Sequence, residues 1–157
     1  MSADSSIKFD GVDGEMVKPK GEIDVMSWNW DIAQPSSAAG GGGSGKGKAV
    51  PGEFHFTHLY DKASPVLAKH CAAGKHFATA KLTARKAGEG QQDFLTVTMK
   101  EVLITSCRPG GTNGGDIVEN VAFSYKDIEF AYKPQDDKGG LGGEVKFGLN
   151  VTEMVTR

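Results

Sequence analysis

The sequence predicts a mainly β fold, a compact β-barrel of two antiparallel sheets with one short helix at about 64–73 and a long Gly-rich extended loop at about 34–52. Three observations carry this. Apolar and polar residues alternate with period two along most patterned stretches. Of the 22 glycines, 17 gather at 39–52, 88–90, 110–115 and 139–143, between those stretches, where turns belong. Only one segment carries helix punctuation at both ends. At 157 residues, 1–157 reads as a single domain, large enough to bury a core without disulfides or metals.

Taken in order, Ile23 and Val25 alternate on odd positions, and Met26, Trp28, Trp30 and Ile32 continue on even ones. The phase slips by one residue between them. After the long loop, Phe54 and Phe56 mark a further strand. The helix follows in "DKASPVLAKHCAAGKHF", with Ser64 as N-cap, Pro65 at the first helical position, Lys69 in the body and Gly74 as the stop. About 10 residues make it roughly 15 Å long. Asp61 lies ahead of the cap, where its charge favours the positive end of the helix dipole. Phe77 to Arg85 forms the next strand. Leu95, Val97 and Met99 then alternate against Thr96, Thr98 and Lys100, after which Val102 and Ile104 carry the apolar face on the other parity. Val121, Phe123 and Tyr125 give way to Ile128, Phe130 and Tyr132 with a slip at Lys126-Asp127. Val145, Phe147, Leu149 and Val151 make a clean last strand. A parity switch inside a long strand marks a bulge or a sharp bend, and three of them suggest the corners of a small barrel or orthogonal sandwich. The predicted order is strand, strand, long loop, strand, helix and four strands.

Composition narrows the function. Eighteen basic and 20 acidic residues leave a net charge of −2 with no basic run, so a nucleic-acid partner is not expected. No stretch approaches the roughly 18 apolar residues of a membrane span, and "MSADSSIKFDGVDGE" has no basic-then-apolar signal pattern, so neither membrane insertion nor signal-peptide export is expected. Cys71 and Cys107 form neither a metal-type spacing nor a disulfide framework, which fits folding in a reducing cytosol.

The candidate chemistry is thin. In "AGGGGSGKGKAV", Gly40, Gly45 and Lys46 fall on the frame of a phosphate-binding loop. Gly47 stands where a magnesium-binding Ser or Thr belongs, and Pro51-Gly52 stops the helix that should follow. A long hairpin excursion is the better reading. His55 and His58, three apart on a strand, point to opposite faces, and His70 and Cys71 diverge on a helix. Asp127 and Glu129 share a solvated strand face, and Asp136-Asp137 sits in a turn. Trp28 and Trp30 suit core or subunit packing better than ligand stacking. No catalytic constellation, metal site or cofactor is expected.

Segments spanning nearly the whole chain, taken together, resemble the Hcp family, the haemolysin-coregulated proteins that build the inner tube of the bacterial type VI secretion system. They are "IKFDGVDGE" at 7–15, "GEIDVMSWNWDIAQ" at 21–34, the Gly-rich loop at 40–47, "FTHLYDKASPVLAKHCAAGKHF" at 56–77, "KLTARKAG" at 81–88, "FLTVTMKEVLITS" at 94–106, "ENVAFSYKDIEFAYKPQ" at 119–135 and "GGEVKFGLNVTE" at 142–153. The "D-K-x-S-P-x-L" helix start at Asp61–Leu67 and "S-W-N-W" at Ser27–Trp30 are the most telling. The resemblance implies a non-enzymatic subunit that closes with five copies of itself into a homohexameric ring. Rings stack into a tube, which a contractile sheath and its spike drive out of the bacterial cytoplasm without a signal peptide. Effector proteins can travel in the lumen. The pattern ends at Arg157, so no C-terminal effector extension is expected. Ser64, Pro65 and Asp61 become the helix cap. Gln34, Pro35, Ser37, Gly42, Ser44, Lys46, Lys48 and Val50 become a candidate arm that reaches a neighbouring subunit. Arg108, Thr112, Asn113 and Asp116, in the exposed loop "SCRPGGTNGGD" at 106–116, become candidates for the lumen or the ring-stacking surface. Two other functions compete: a small-molecule-binding β-barrel, on Trp28, Trp30 and the Phe-rich strands, and a hydrolase or metal enzyme, on His55, His58, His70 or Cys71.

Overall fold

The computed structural model describes residues 3–35, 48–86, 92–135 and 140–157. The elements there are β1 (Ala3–Phe9), β2 (Ile23–Val25), β3 (Ser27–Asn29), β4 (Ile32–Ala33), β5 (Val50–Pro51), β6 (Phe54–Leu59), α1 (Ser64–Ala73), β7 (Phe77–Lys86), β8 (Asp93–Gly111), β9 (Ile117–Ser124), β10 (Asp127–Tyr132), β11 (Val145–Asn150) and β12 (Val155–Thr156).

The three phase slips are the three corners at which the chain passes between sheets. One sheet runs β12-β11-β10-β8-β7-β1-β2, and the other joins β3, β6, β9 and the second half of β8, all antiparallel. The slip at Met26 separates β2 in the first sheet from β3 in the second. The slip after Met99 falls at Glu101, a non-glycine residue at φ 52, where β8 leaves β10 for β9. The slip at Lys126-Asp127 takes the chain back from β9 to β10. At each corner the change of sheet goes with a change of side-chain parity, so the apolar residues on either side both face the core.

Three points differ from the sequence expectation. β1 was not among the expected strands, although Ile7 and Phe9 are fully buried and alternate with Lys8. Ser106–Gly111 continues β8, paired with Ala122–Ile117, so the turn is confined to residues 112–116. Backbone pairing does not depend on side chains, and Gly and Pro near the end of a hairpin do not prevent it. The ladders among the described residues also form an open path from β12 to β2. Two antiparallel sheets wrap one core without closing a hydrogen-bonded barrel, because the corner at Met26 takes the chain off the first sheet after the three residues of β2.

Aromatic rings join the sheets. Phe9 meets Phe77 at 5.3 Å within its own sheet, and meets Phe123 at 5.4 Å and Phe56 at 5.9 Å across the core. Phe54 packs on Phe123 at 5.2 Å. Each buried Phe contributes about 1.5–3 kcal/mol. Ala63 and Leu67 of the helical segment are fully buried, and the His70 ring stacks on Phe77 at 4.1 Å. Gly74 ends α1 in the left-handed conformation at φ 63.

The start of α1 corrects the expected cap. Ala63 occupies the cap position in helical conformation with no side-chain capping bond, and Ser64 is already helical, so Pro65 is the second residue of the helix. The capping work falls to Asp61. Its carboxylate accepts the Ala63 N–H at 3.0 Å, and its carbonyl accepts the Ser64 N–H at 3.0 Å. The buried Ser64 Oγ accepts the Asp61 N–H in return at 3.1 Å. The reciprocal bonding has the logic of a capping box, started three residues early.

Candidate functional site: an extended arm and the surfaces around it

The base of the arm is built by β4 and β5, a ladder pairing Ile32 with Pro51 and Ala33 with Val50. It is locked to the body through Tyr125. The Trp30 indole N–H donates to the Tyr125 hydroxyl, which donates to the Gly52 carbonyl at 2.7 Å. The Gly52 N–H donates to the Asp31 carbonyl at 2.8 Å. A Cβ on Gly52 would stand 1.9 Å from Asp31 Oδ1, so any other residue there would have to displace the Asp31 side chain. Burial holds the Tyr125 hydroxyl above its usual pKa, so it remains a donor at neutral pH. This clamp was missed because Trp30 and Tyr125 are 95 positions apart, and nothing local marks the pair.

Of the arm candidates, Gln34, Pro35, Lys48 and Val50 are all exposed. Ser37, Gly42, Ser44 and Lys46 lie outside the described residues, as do the phosphate-loop glycines Gly40 and Gly45. Arg108, Thr112, Asn113 and Asp116 are exposed at the end of the β8–β9 hairpin. Arg108 sits on β8 opposite Asn120, at the rim of a polar cleft that also holds Asn29, His55 and Thr57.

The remaining candidates for chemistry are occupied or apart. His55 is exposed, whereas His58 is fully buried on the opposite face. His58 Nε2 lies 2.7 Å from Glu119 Oε1, and Nδ1 lies 3.8 Å from Asp61 Oδ2. Burial pushes the His58 pKa down, but the Asp61 and Glu119 carboxylates more than offset this and hold it above its ordinary value. The pair ties β6 to β9 and to the start of α1. A deeply buried, paired imidazole has no route to a substrate. Cys71 and Cys107 are free, half-buried thiols, and burial, with Glu119 and Cys71 nearby, pushes Cys107 up to about 12. Among the described residues no group of three or more His, Cys, Asp and Glu could hold a metal ion.

Trp28 stacks on Phe54 at 5.7 Å, and Trp30 packs against Phe130 at 4.9 Å and Phe147 at 6.3 Å. Both indoles therefore do core packing. Asp127 and Glu129, expected on a solvated face, receive Arg157 in exposed contacts. Its guanidinium donates to both Asp127 oxygens at 2.8 and 2.6 Å and to Glu129 at 3.2 Å. Asp136 and Asp137 lie outside the described residues.

Comparison with known proteins gives a consistent result. Residues 7–132 match the family described as type VI secretion system effector, Hcp. The curated protein hcp1 of Pseudomonas aeruginosa is 42% identical over 161 aligned positions, covering 99% of each chain. Among solved structures, one described as a type six secretion system protein superposes with a TM-score of 0.92 at 28% identity, covering 99% of this chain and 100% of the other. Hcp1 from Salmonella typhimurium gives 0.81 at 31% identity with both chains fully covered. A type VI secretion system effector from Yersinia pestis gives 0.77 at 32% identity, covering 94% of this chain and 100% of that one.

Proposed function

The chain belongs to the Hcp family of type VI secretion system proteins, and on that footing we propose that it is the structural subunit of the system's inner tube. Six copies close into a ring, and rings stack into a tube that sheath contraction drives, with the spike, out of the bacterial cytoplasm. Effector proteins ride in the lumen. The role is mechanical and needs no catalytic group. Export with the tube needs no signal peptide.

The observation that carries this reading is coverage: the likeness to type VI secretion proteins runs across essentially the whole chain, so it is not confined to a grafted site. The arm supports it. An exposed ribbon on a rigid clamp has no internal use and suits contact with another subunit. On this reading Gln34–Val50, with Ser37, Gly42, Ser44, Lys46 and Lys48, is the assembly arm. Arg108, Thr112, Asn113 and Asp116 border the lumen or the stacking face. Size-exclusion chromatography with negative-stain microscopy tests the proposal. Ring-shaped particles of six subunits are expected; a monodisperse monomer at high concentration would exclude the tube role.

A further inference from the structure

The tip of the β8–β9 hairpin holds a reactive pair that the tube role does not use. Of the four asparagines in the chain, Asn113 alone is followed by glycine; Trp30, Val121 and Val151 follow the others. Asparagine is chemically labile. Its carboxamide is open to attack by the backbone nitrogen of the next residue, and a following glycine has no Cβ to shield that nitrogen.

The fold leaves this pair open. The Gly115 N–H donates to the Thr112 carbonyl at 3.0 Å and Gly114 sits at φ 81, which makes Thr112–Gly115 a type II turn with Asn113 and Gly114 at its centre. Both are exposed. Among the described residues neither the Asn113 carboxamide nor the Gly114 N–H has a hydrogen-bond partner. A Cβ placed on Gly114 would meet nothing within 4 Å, so no neighbouring atom obstructs the peptide that must turn toward the carboxamide. The other three asparagines are held. Asn29 lies in the β3–β6 ladder, and Asn120, between β6 and β8, accepts from the Thr57 hydroxyl at 2.6 Å. Asn150 accepts the Glu153 N–H at 2.9 Å, and the N–H that follows it donates to the Lys126 carbonyl.

We propose that Asn113 is a modification site at which the chain deamidates and isomerises, with water as co-reactant. Loss of the Gly114 N–H proton to hydroxide frees the amide nitrogen to attack Asn113 Cγ. The new N–Cγ bond closes a succinimide ring, the Cγ–Nδ2 bond breaks, and ammonia leaves with a proton returned from solvent. Water then adds at one of the two imide carbonyls. Opening at Cγ gives aspartate, and opening at the main-chain carbonyl gives isoaspartate, in which the backbone runs on through the former side chain. Nothing is oxidised or reduced: a carboxamide and a water become a carboxylate and an ammonium ion. Each event adds one negative charge to a chain whose formal net charge is −2, on the loop that already carries Asp116. The isoaspartate form also lengthens the turn by one backbone carbon. The tip belongs to the surface proposed above for the lumen or for stacking, so a ring of modified subunits repeats a like charge there. That consequence rests on the tube reading; the chemistry does not.

The test incubates the full-length native chain at neutral and at mildly alkaline pH, with the same chain unfolded in guanidinium chloride as the reference. Peptide mapping by mass spectrometry locates each conversion, ion-exchange chromatography follows the added charge, and isoaspartyl methyltransferase with S-adenosylmethionine labels the isomer. The native chain is expected to convert at Asn113 ahead of Asn29, Asn120 and Asn150, to yield both products, and to do so faster in proportion to hydroxide. Asn113→Gln, whose longer side chain closes the ring far less readily, should abolish the conversion and leave the melting midpoint unchanged, because the position is exposed. A native chain that stays intact at Asn113 while the unfolded chain converts there overturns the proposal, as does conversion without isoaspartate or spread evenly over the four asparagines. Negative-stain images of the same samples keep the two readings apart. Rings with an intact Asn113 leave the tube role standing without the site, and conversion in a chain that stays monomeric leaves the site standing without the tube.

Discussion

His58 is the residue whose chemistry most directly couples to stability. It is fully buried, faces Glu119 on β9 at 2.7 Å and Asp61 before α1 at 3.8 Å, and its Nδ1 has no hydrogen-bond partner among the described residues. Cys107 on β8, near Glu119, stays a neutral thiol at physiological pH, so the carboxylates set the balance. A raised folded-state pKa means that the native protein binds the proton more tightly than the unfolded chain. The resulting stability is fully present below about 6.5, the unfolded value, and is lost as pH rises through the folded value. Denaturation midpoints should therefore fall as pH climbs above 6.5, and Glu119→Gln should flatten that fall; an unchanged slope would remove the pair from the account. Glu119→Ala, which removes the 2.7 Å partner of the fully buried His58 ring, should destabilise by about 1–3 kcal/mol in urea titration.

Among the elements, the helix start and the arm base invite separate tests. Ser64→Ala deletes the acceptor of the Asp61 N–H at a fully buried position and should cost about 1 kcal/mol. Tyr125→Phe breaks the bridge from Trp30 to Gly52 and should cost about 1 kcal/mol as well. Hydrogen exchange should also show faster opening confined to β4 and β5, whereas uniform loss of protection would mean that the clamp serves the core instead. How far the elements were legible follows from the range of the forces. Period-two alternation is local, so most strands and all three corners could be read from residues such as Met26, Met99 and Lys126, whereas β1 and the Ser106–Gly111 end of β8 were not. The helix stop at Gly74 was equally readable, because a left-handed terminus asks for glycine at that one position. The cap was misplaced because Ser64 and Asp61 both suit the role, and the choice depends on which backbone N–H groups the fold buries. The Trp30–Tyr125 clamp, the His58–Glu119 pair and the Arg157 clasp on Asp127 join positions remote in sequence. No local pattern marks them.

For the whole molecule, the body and the arm should separate cleanly. Phe9, Phe54, Phe56, Phe77 and Phe123 bind the two sheets into one core that does not involve the arm. Deleting Ser37–Lys48 should thus leave the melting midpoint nearly unchanged while weakening assembly, as read by chromatography; intact rings from that variant would show that the arm is not an assembly element. The family resemblance was legible end to end because the combined order of many segments is far more specific than any single motif. The proposed subunit contacts were not, since such contacts depend on which surfaces the fold leaves apolar and uncovered. Native mass spectrometry of the full chain tests the central claim most directly. A dominant species of six subunit masses, persisting on dilution into the micromolar range, is the predicted result; a single subunit mass at every concentration would contradict it.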